Sequence, residues 1–242
     1  MNSLIQVRGL VKRFGPKTVL RKLDFYATEG EFVALLGPNG AGKTTFLRIL
    51  SSLSRQTLGE VRIAGHQLPH DAAAVRRRLG VVSHLPLLYG DLTAEENLLF
   101  YGRLYDLAGL SGRITQVLSL VGLLDRRKDL VRTFSRGMQQ RLAIGRAILH
   151  EPDVLLLDEP HTGLDQDACE MLDAVLRKVA AEHRTVVMTS HDLARVSELA
   201  SRFDVLTRGR IQASVQAADL PQDGVLAFYR QTLENARTEV AA

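Results

Sequence analysis

Residues 37–45 read GPNGAGKTT, directly after the apolar run FVALLG (32–37) and directly before FLRIL, whose apolar spacing is helical. The pattern G-x-x-x-x-G-K-[ST] is met in full, in the strand–loop–helix context that gives it meaning. Gly37, Gly40 and Gly42, with Pro38, Asn39 and Ala41 between them, let the backbone wrap a phosphate chain with its N–H groups pointing inward. Lys43 supplies a point charge at the β- and γ-phosphates. Thr44 completes the motif and offers a hydroxyl to Mg²⁺, an ion that keeps its waters and takes few protein ligands, and Thr45 follows as a further phosphate-side hydroxyl. The implied ligand is a nucleotide.

Two further apolar runs end as abruptly, VLLLDE at 154–159 and TVVMTSH at 185–191. Continuous rather than alternating apolarity is what strands buried on both faces of a parallel sheet show. Ligands of such sheets gather at the carboxyl ends of the strands, so the polar residues after each run are expected to converge. Asp158 then suits Mg²⁺ binding, and Glu159 suits general-base activation of a water. His191 is placed to meet a γ-phosphate oxygen as it gains charge.

The remaining segments surround that core. IQVRGLVKRF, TVLRKLDFYA and GEVRIAG are shorter strand-like pieces and suggest an antiparallel layer. Between 86 and 150 the pattern turns helical: Thr93 and Glu96 form a capping box before LLFYGRLYDLAGL, then come SGRITQVLSLVGLL and the helix opened by FSRGMQQR. VLAFYRQTLENARTEV reads as a terminal helix. The expected fold is α/β: a P-loop core with a mainly parallel sheet, an N-terminal antiparallel β layer and an inserted helical lobe. It forms one domain over 1–242, with 1–85 and 151–242 as the core lobe and 86–150 as the helical lobe.

The net charge of +4 (31 basic minus 27 acidic) is too small to demand nucleic acid. Cys169 is the only cysteine, so no disulfide framework is possible and a reducing compartment is expected. Its place in DACEMLDAVL makes it a buried thiol. No apolar run approaches the ~18 residues needed to cross a bilayer. A cytoplasmic location is therefore expected, with any membrane role exercised through a partner and no direct insertion.

FSRGMQQR, at 134–141, places serine, arginine and glycine at a helix start, an anion-attracting arrangement. A helix N-terminus contributes roughly 0.3–2 kcal/mol, at most about thirtyfold in affinity. It therefore cannot be an independent nucleotide site. It can close over a γ-phosphate already held elsewhere, including one held by a second molecule.

The ordered motifs resemble those of the ATP-binding cassette family over about residues 4–212. Residues 37–45 resemble its Walker A loop, 154–159 its Walker B strand and glutamate, and FSRGM its signature. HTGLD (161–165) resembles the D-loop, and Ser190-His191-Asp192 the switch-histidine segment. Phe14, in VKRFG, stands where the family stacks an aromatic on adenine. The resemblance implies ATP and Mg²⁺ as ligands and two ATPs sandwiched head-to-tail in a dimer. Ser135 and Gly137 would then reach the opposite γ-phosphate, and Asp165 would cross the same interface. In the signature, Phe134, Arg136 and Met138 depart from the commonest wording. His84 stands where the family has the Q-loop glutamine, and is expected to keep that role as a Mg²⁺ or water contact.

Three readings of function follow. The first is the ATPase subunit of a transporter whose spanning part is a separate polypeptide, placed at the inner face of the cell membrane. The second is a soluble relative acting on nucleic acid or ribosomes, and the third a stand-alone kinase. One cassette, no sustained heptads, the signature helix and the switch histidine favour the first, with no nucleic acid as partner. GVVSHLPLLYGDLTAEENL and RTFSRGMQQRLAIGRAILHEPDVLLLDEPHTGLD resemble the heme-exporter ATPases of cytochrome c maturation, so heme export is the expected function, with a drug or lipid exporter, which shares much of the same wording, as the alternative.

Overall fold

Ser3–Phe14 (β1) and Lys17–Thr28 (β2) form an antiparallel hairpin, the first part of a computed structural model that describes residues 3–83 and 85–241, with side chains through 238. Phe32–Leu36 (β3) leads through the glycine loop into Lys43–Leu50 (α1). Leu58–Ile63 (β4) and His66–Leu68 (β5) return to the hairpin, giving a four-stranded antiparallel sheet of order β2-β1-β4-β5. This is the expected N-terminal layer.

Ala72–Arg77 (α2) and Leu79–Val82 (β6) follow. Ala94–Leu104 (α3), Leu110–Leu120 (α4) and Arg136–Ile148 (α5) fill the helical stretch. The Thr93–Glu96 capping box is formed in both directions. α3 is shorter than its apolar pattern, because the backbone turns left-handed at Asp106 just beyond it.

Val154–Asp158 (β7), Gln166–Ala181 (α6), Thr185–Thr189 (β8), Leu193–Ser197 (α7), Arg202–Thr207 (β9), Arg210–Gln216 (β10) and Gly224–Ala241 (α8) complete the chain. The second sheet has the order β10-β9-β3-β8-β7-β6, parallel throughout except for β10 against β9. The three continuous apolar runs are thus its adjacent central strands β3, β8 and β7.

Their burial explains the sequence pattern. Ala34, Leu36, Leu155, Leu157, Val186 and Met188 pack on the face covered by α5 and α6. Val33, Leu35, Val154, Leu156 and Val187 pack on the opposite face with Phe46 and Ile49 of α1 and the antiparallel sheet. Successive side chains of a strand point to opposite faces, so two apolar layers require every residue of the strand to be apolar. Each fully buried aliphatic side chain contributes about 1.5–3 kcal/mol.

β9 escapes that pattern, since RFDVLT carries two charges, yet all six residues are buried. Arg202 is satisfied by Glu31 at 2.7 Å and Asp204 at 3.1 Å. Buried charges persist when paired and hydrogen-bonded. Cys169 is buried, as its helical position suggests. Among the described residues, no helix is long and apolar enough to cross a membrane.

Candidate active site

The carboxyl ends of β3, β7 and β8 lie side by side, and the polar residues following each meet at one open cleft of about 1230 Å³. The 38–45 loop forms its floor, with Glu159, Thr162 and His191 on one side. Lys17, Arg21, Arg208 and Arg210 stand on the other. A concave site walled by cations suits a polyanion.

Gly37 leaves β3 with φ of 150°. A Cβ there would stand 2.1 Å from the Leu206 carbonyl oxygen, so no other residue fits. Lys43 opens α1 and folds back into the loop, its Nζ donating to the Gly37 carbonyl at 2.6 Å. Nζ also lies 3.9 Å from Glu159 Oε1. Burial lowers the Lys43 pKa, and the Glu159 and Asp158 carboxylates oppose that shift.

The β7–β8 register places Asp158 opposite Thr189. Thr189 Oγ1 donates to Asp158 Oδ1 at 2.7 Å, and Thr44 Oγ1 reaches the same oxygen at 3.3 Å. Two hard oxygens at that spacing fit neighbouring ligands of one small ion at about 2.1 Å. Among the described residues no group of three or more His, Cys, Asp or Glu side chains converges on a metal position. Thr44 and Asp158 would therefore share Mg²⁺ with phosphate oxygens and water.

Glu159 has a left-handed backbone, φ 52°, uncommon for a residue with a side chain. The strained turn is held by its N–H donating to Thr189 Oγ1 at 2.9 Å and by Thr162 N–H donating to its carbonyl at 3.1 Å. Glu159 Oε2 meets His191 Nδ1 at 2.5 Å. His191 is otherwise open to solvent.

Other expected site residues lie elsewhere. Ser135 caps α5, its Oγ accepting from Met138 N at 3.2 Å, and Asp165 caps α6, Oδ1 accepting from Ala168 N at 2.8 Å. The α5 helix therefore starts at Arg136, two residues after the apolar pattern opens. Gly137 packs against Ala168, where a Cβ would lie 2.7 Å from the alanine methyl. None of Ser135, Gly137 and Asp165 lines the cleft of its own chain. Phe14 does not line it either: it is half exposed, with Lys12 Nζ 4.6 Å from its ring centre. His84 lies outside the described residues.

Thr189, Thr162 and the basic wall were not marked by the sequence. Thr189 had a signal, as a polar residue ending an apolar strand two positions before His191. The wall had none, because Arg208 and Arg210 sit on a hairpin whose strands lack a continuous apolar run.

The ABC transporter family model matches residues 20–162, a span that takes in the glycine loop, the α5 start and the Asp158–Glu159 pair. The chain belongs to the ABC transporter family. It is 34% identical over 219 residues to the linearmycin resistance ATP-binding protein LnrL of Bacillus subtilis (strain 168), covering 90% of this chain and 70% of that one. It is 38% identical over 210 residues to the Nod factor export ATP-binding protein I of Paraburkholderia xenovorans (strain LB400), covering 86% and 69%. The daunorubicin resistance ATP-binding protein DrrA3 of Streptomyces coeruleorubidus is 37% identical over 222 residues, covering 90% and 70%.

Among solved structures, the ATP-binding subunit of an ABC transporter superposes with a TM-score of 0.85 at 28% identity, covering 95% of this chain and 99% of that one. A dimeric ATP-binding cassette in a post-hydrolysis state, bound to ADP and Pi, superposes with a TM-score of 0.78 at 28% identity, covering 88% and 98%. The fold is that of an ABC ATP-binding domain, and the chain is an ATPase subunit of a transporter.

Proposed function

We propose that two copies of this chain close head-to-tail around ATP and hydrolyse it with Glu159, driving export through a separate membrane-spanning partner. The observation that carries this reading is the meeting of Lys43, Thr44, Glu159 and His191 at one cleft, with Asp158 3.3 Å from the Thr44 hydroxyl. The 37–45 amides and Lys43 hold the phosphates, and Phe14 stacks on the adenine once Lys12 yields. Thr44 and Asp158 would hold Mg²⁺, which when bound would offset charge on the β- and γ-phosphates; a contact from His84 to that ion is part of the same reading. Glu159 takes a proton from the attacking water, whose oxygen bonds to the γ-phosphorus as the bridge to the β-phosphate breaks, leaving ADP and Pi. His191 orients Glu159 and contacts the γ-phosphate.

Ser135, Gly137 and Asp165 complete the site from the second copy. Their absence from the cleft of their own chain supports that arrangement. The division into a core lobe (1–85, 151–242) and a helical lobe (86–150) belongs to the same reading. Leu85, Leu87, Tyr89, Phe100 and Leu104 are exposed. Tyr89 and Phe100 stack edge-on at 5.0 Å. These exposed apolar residues are where the membrane partner would dock, holding the chain at the inner face of the cell membrane.

For the cargo, the relatives above are named for resistance to linearmycin and daunorubicin and for Nod factor export. They favour a drug-like cargo over heme, which rests on sequence wording alone. Phosphate release from ATP by the purified chain, beside Glu159→Gln, tests the hydrolytic reading. Equal rates would overturn it.

A further inference from the structure

Beneath the Glu159–His191 contact runs a second, buried link between the same two segments. His161, two residues after Glu159, has Nε2 2.7 Å from Asp173 Oδ1 on α6. The other carboxylate oxygen, Asp173 Oδ2, accepts from Arg195 Nη1 at 2.5 Å. Arg195 stands on α7, four residues after His191, and its backbone N–H donates to Asp192 Oδ1 at 3.1 Å. Its Nη2 donates to Gln166 Oε1 at 3.1 Å, at the start of α6. The three side chains are only 8%, 5% and 14% exposed.

This connection is expensive to build. Burying an ion pair costs desolvation that apolar residues of the same volume avoid. Leaving His161 Nδ1 buried without a partner adds to that cost. What the arrangement provides is direction: a carboxylate gripped from both sides fixes the separation of its two partners, whereas apolar packing tolerates sliding. The two segments so fixed carry Glu159 and His191; the β7–β8 pairing and the Glu159 N–H bond to Thr189 join their strand ends, but the two side chains themselves meet through one contact that leaves His191 mostly exposed.

We infer that His161, Asp173 and Arg195 are positioning residues that hold His191 against Glu159 for hydrolysis. The inference rests on the catalytic reading of Glu159 and His191 given above. Misplacing a reacting group by about 1 Å costs up to about 10²-fold in rate, so loosening the link lowers turnover while leaving the phosphate-binding loop intact.

Steady-state ATP hydrolysis by the full chain, with nucleotide affinity from a fluorescent ATP analogue, tests it. His161→Leu is expected to lower kcat about tenfold with KM and Kd within about twofold of wild type. His161→Gln, whose amide nitrogen can donate where Nε2 does, is expected to recover to within about threefold of wild type. Wild-type kcat in His161→Leu, a glutamine variant as slow as the leucine one, or kcat and KM falling off together would each overturn the inference. Should His161→Leu not fold, Arg195→Lys keeps the charge but cannot bridge Asp173 and Gln166; its kcat is expected to fall with KM constant, and an unchanged kcat overturns the inference. Glu159→Gln separates the two levels: if it turns over normally, the catalytic reading falls first. If it is inactive while His161→Leu is normal, only the positioning role is lost.

Discussion

His191 Nδ1 and Glu159 Oε2 stand 2.5 Å apart, on the ends of adjacent strands whose register is set by the Asp158–Thr189 pair. Two groups in direct contact act as a unit, and their removal is not additive. Glu159→Gln is expected to lower kcat by about 10²–10⁴ while retaining ATP. His191→Ala should fall in the same range, and the double variant should be little worse than either. Multiplying effects in that double variant would show that the two side chains work independently. In size-exclusion chromatography with MgATP, Glu159→Gln should elute as a dimer; persistent monomer at saturation would count against the sandwich.

Ser135 has two roles that one pair of substitutions separates. Its hydroxyl caps α5, so Ser135→Ala should cost about 1 kcal/mol, or about 2–4 °C in melting temperature. Aspartate is as good a cap as serine, so Ser135→Asp should melt with wild type. The same carboxylate would face the γ-phosphate of the partner copy and repel it. Ser135→Asp is therefore expected to be stable, to bind ATP as a monomer and to be inactive. A stable Ser135→Asp that turns over normally would leave the residue with its capping role alone.

The centre of the site was legible because its determinants are local. A glycine loop between a strand and a helix, and polar residues ending apolar runs, are visible within ten residues of chain. The features that escaped depend on partners far along the chain. β9 was hidden because Arg202 and Asp204 interrupt its apolar run, and only Glu31, 171 positions away, completes their neutralisation. His161 was visible within HTGLD, but its buried bond to Asp173 and the relay to Arg195 arise from the packing of α6 and α7. Phe14 was placed correctly at the end of β1, while Lys12 over its ring was not foreseeable from spacing.

Within the phosphate loop, two glycines should respond differently to a methyl group. At Gly37 an added Cβ lies 2.1 Å from the Leu206 carbonyl, a backbone atom anchored on β9. Gly37→Ala should lose several kcal/mol, in the range of overpacked core sites. At Gly40, φ is 78° and nothing lies within 4 Å of an added Cβ. Gly40→Ala should cost only the left-handed strain of about 1–2 kcal/mol. Thermal unfolding of the two proteins checks this, and equal losses would contradict the tight approach at Gly37.

Acid stability offers a test remote from the cleft. His150, after α5, stacks on Tyr105 with ring centres 3.9 Å apart, and its Nε2 lies 3.0 Å from the Leu79 carbonyl oxygen. A carbonyl only accepts, so Nε2 carries the proton and the buried Nδ1 has no partner. Burial pushes the pKa from 6.5 down to about 4, with Arg184, Arg146 and Arg113 adding to the shift and the Leu79 bond opposing it. The folded state therefore binds fewer protons than the unfolded chain between those values. The stabilisation is fully present above pH 6.5 and is lost as pH falls toward 4. By pH 4.5 the loss should be on the order of 2 kcal/mol. His150→Phe keeps the stack on Tyr105 but cannot titrate, so its stability from urea unfolding should fall less steeply between pH 6.5 and 4.5. Parallel curves for the two proteins would mean that His150 protonates as readily in the folded chain as in the unfolded one.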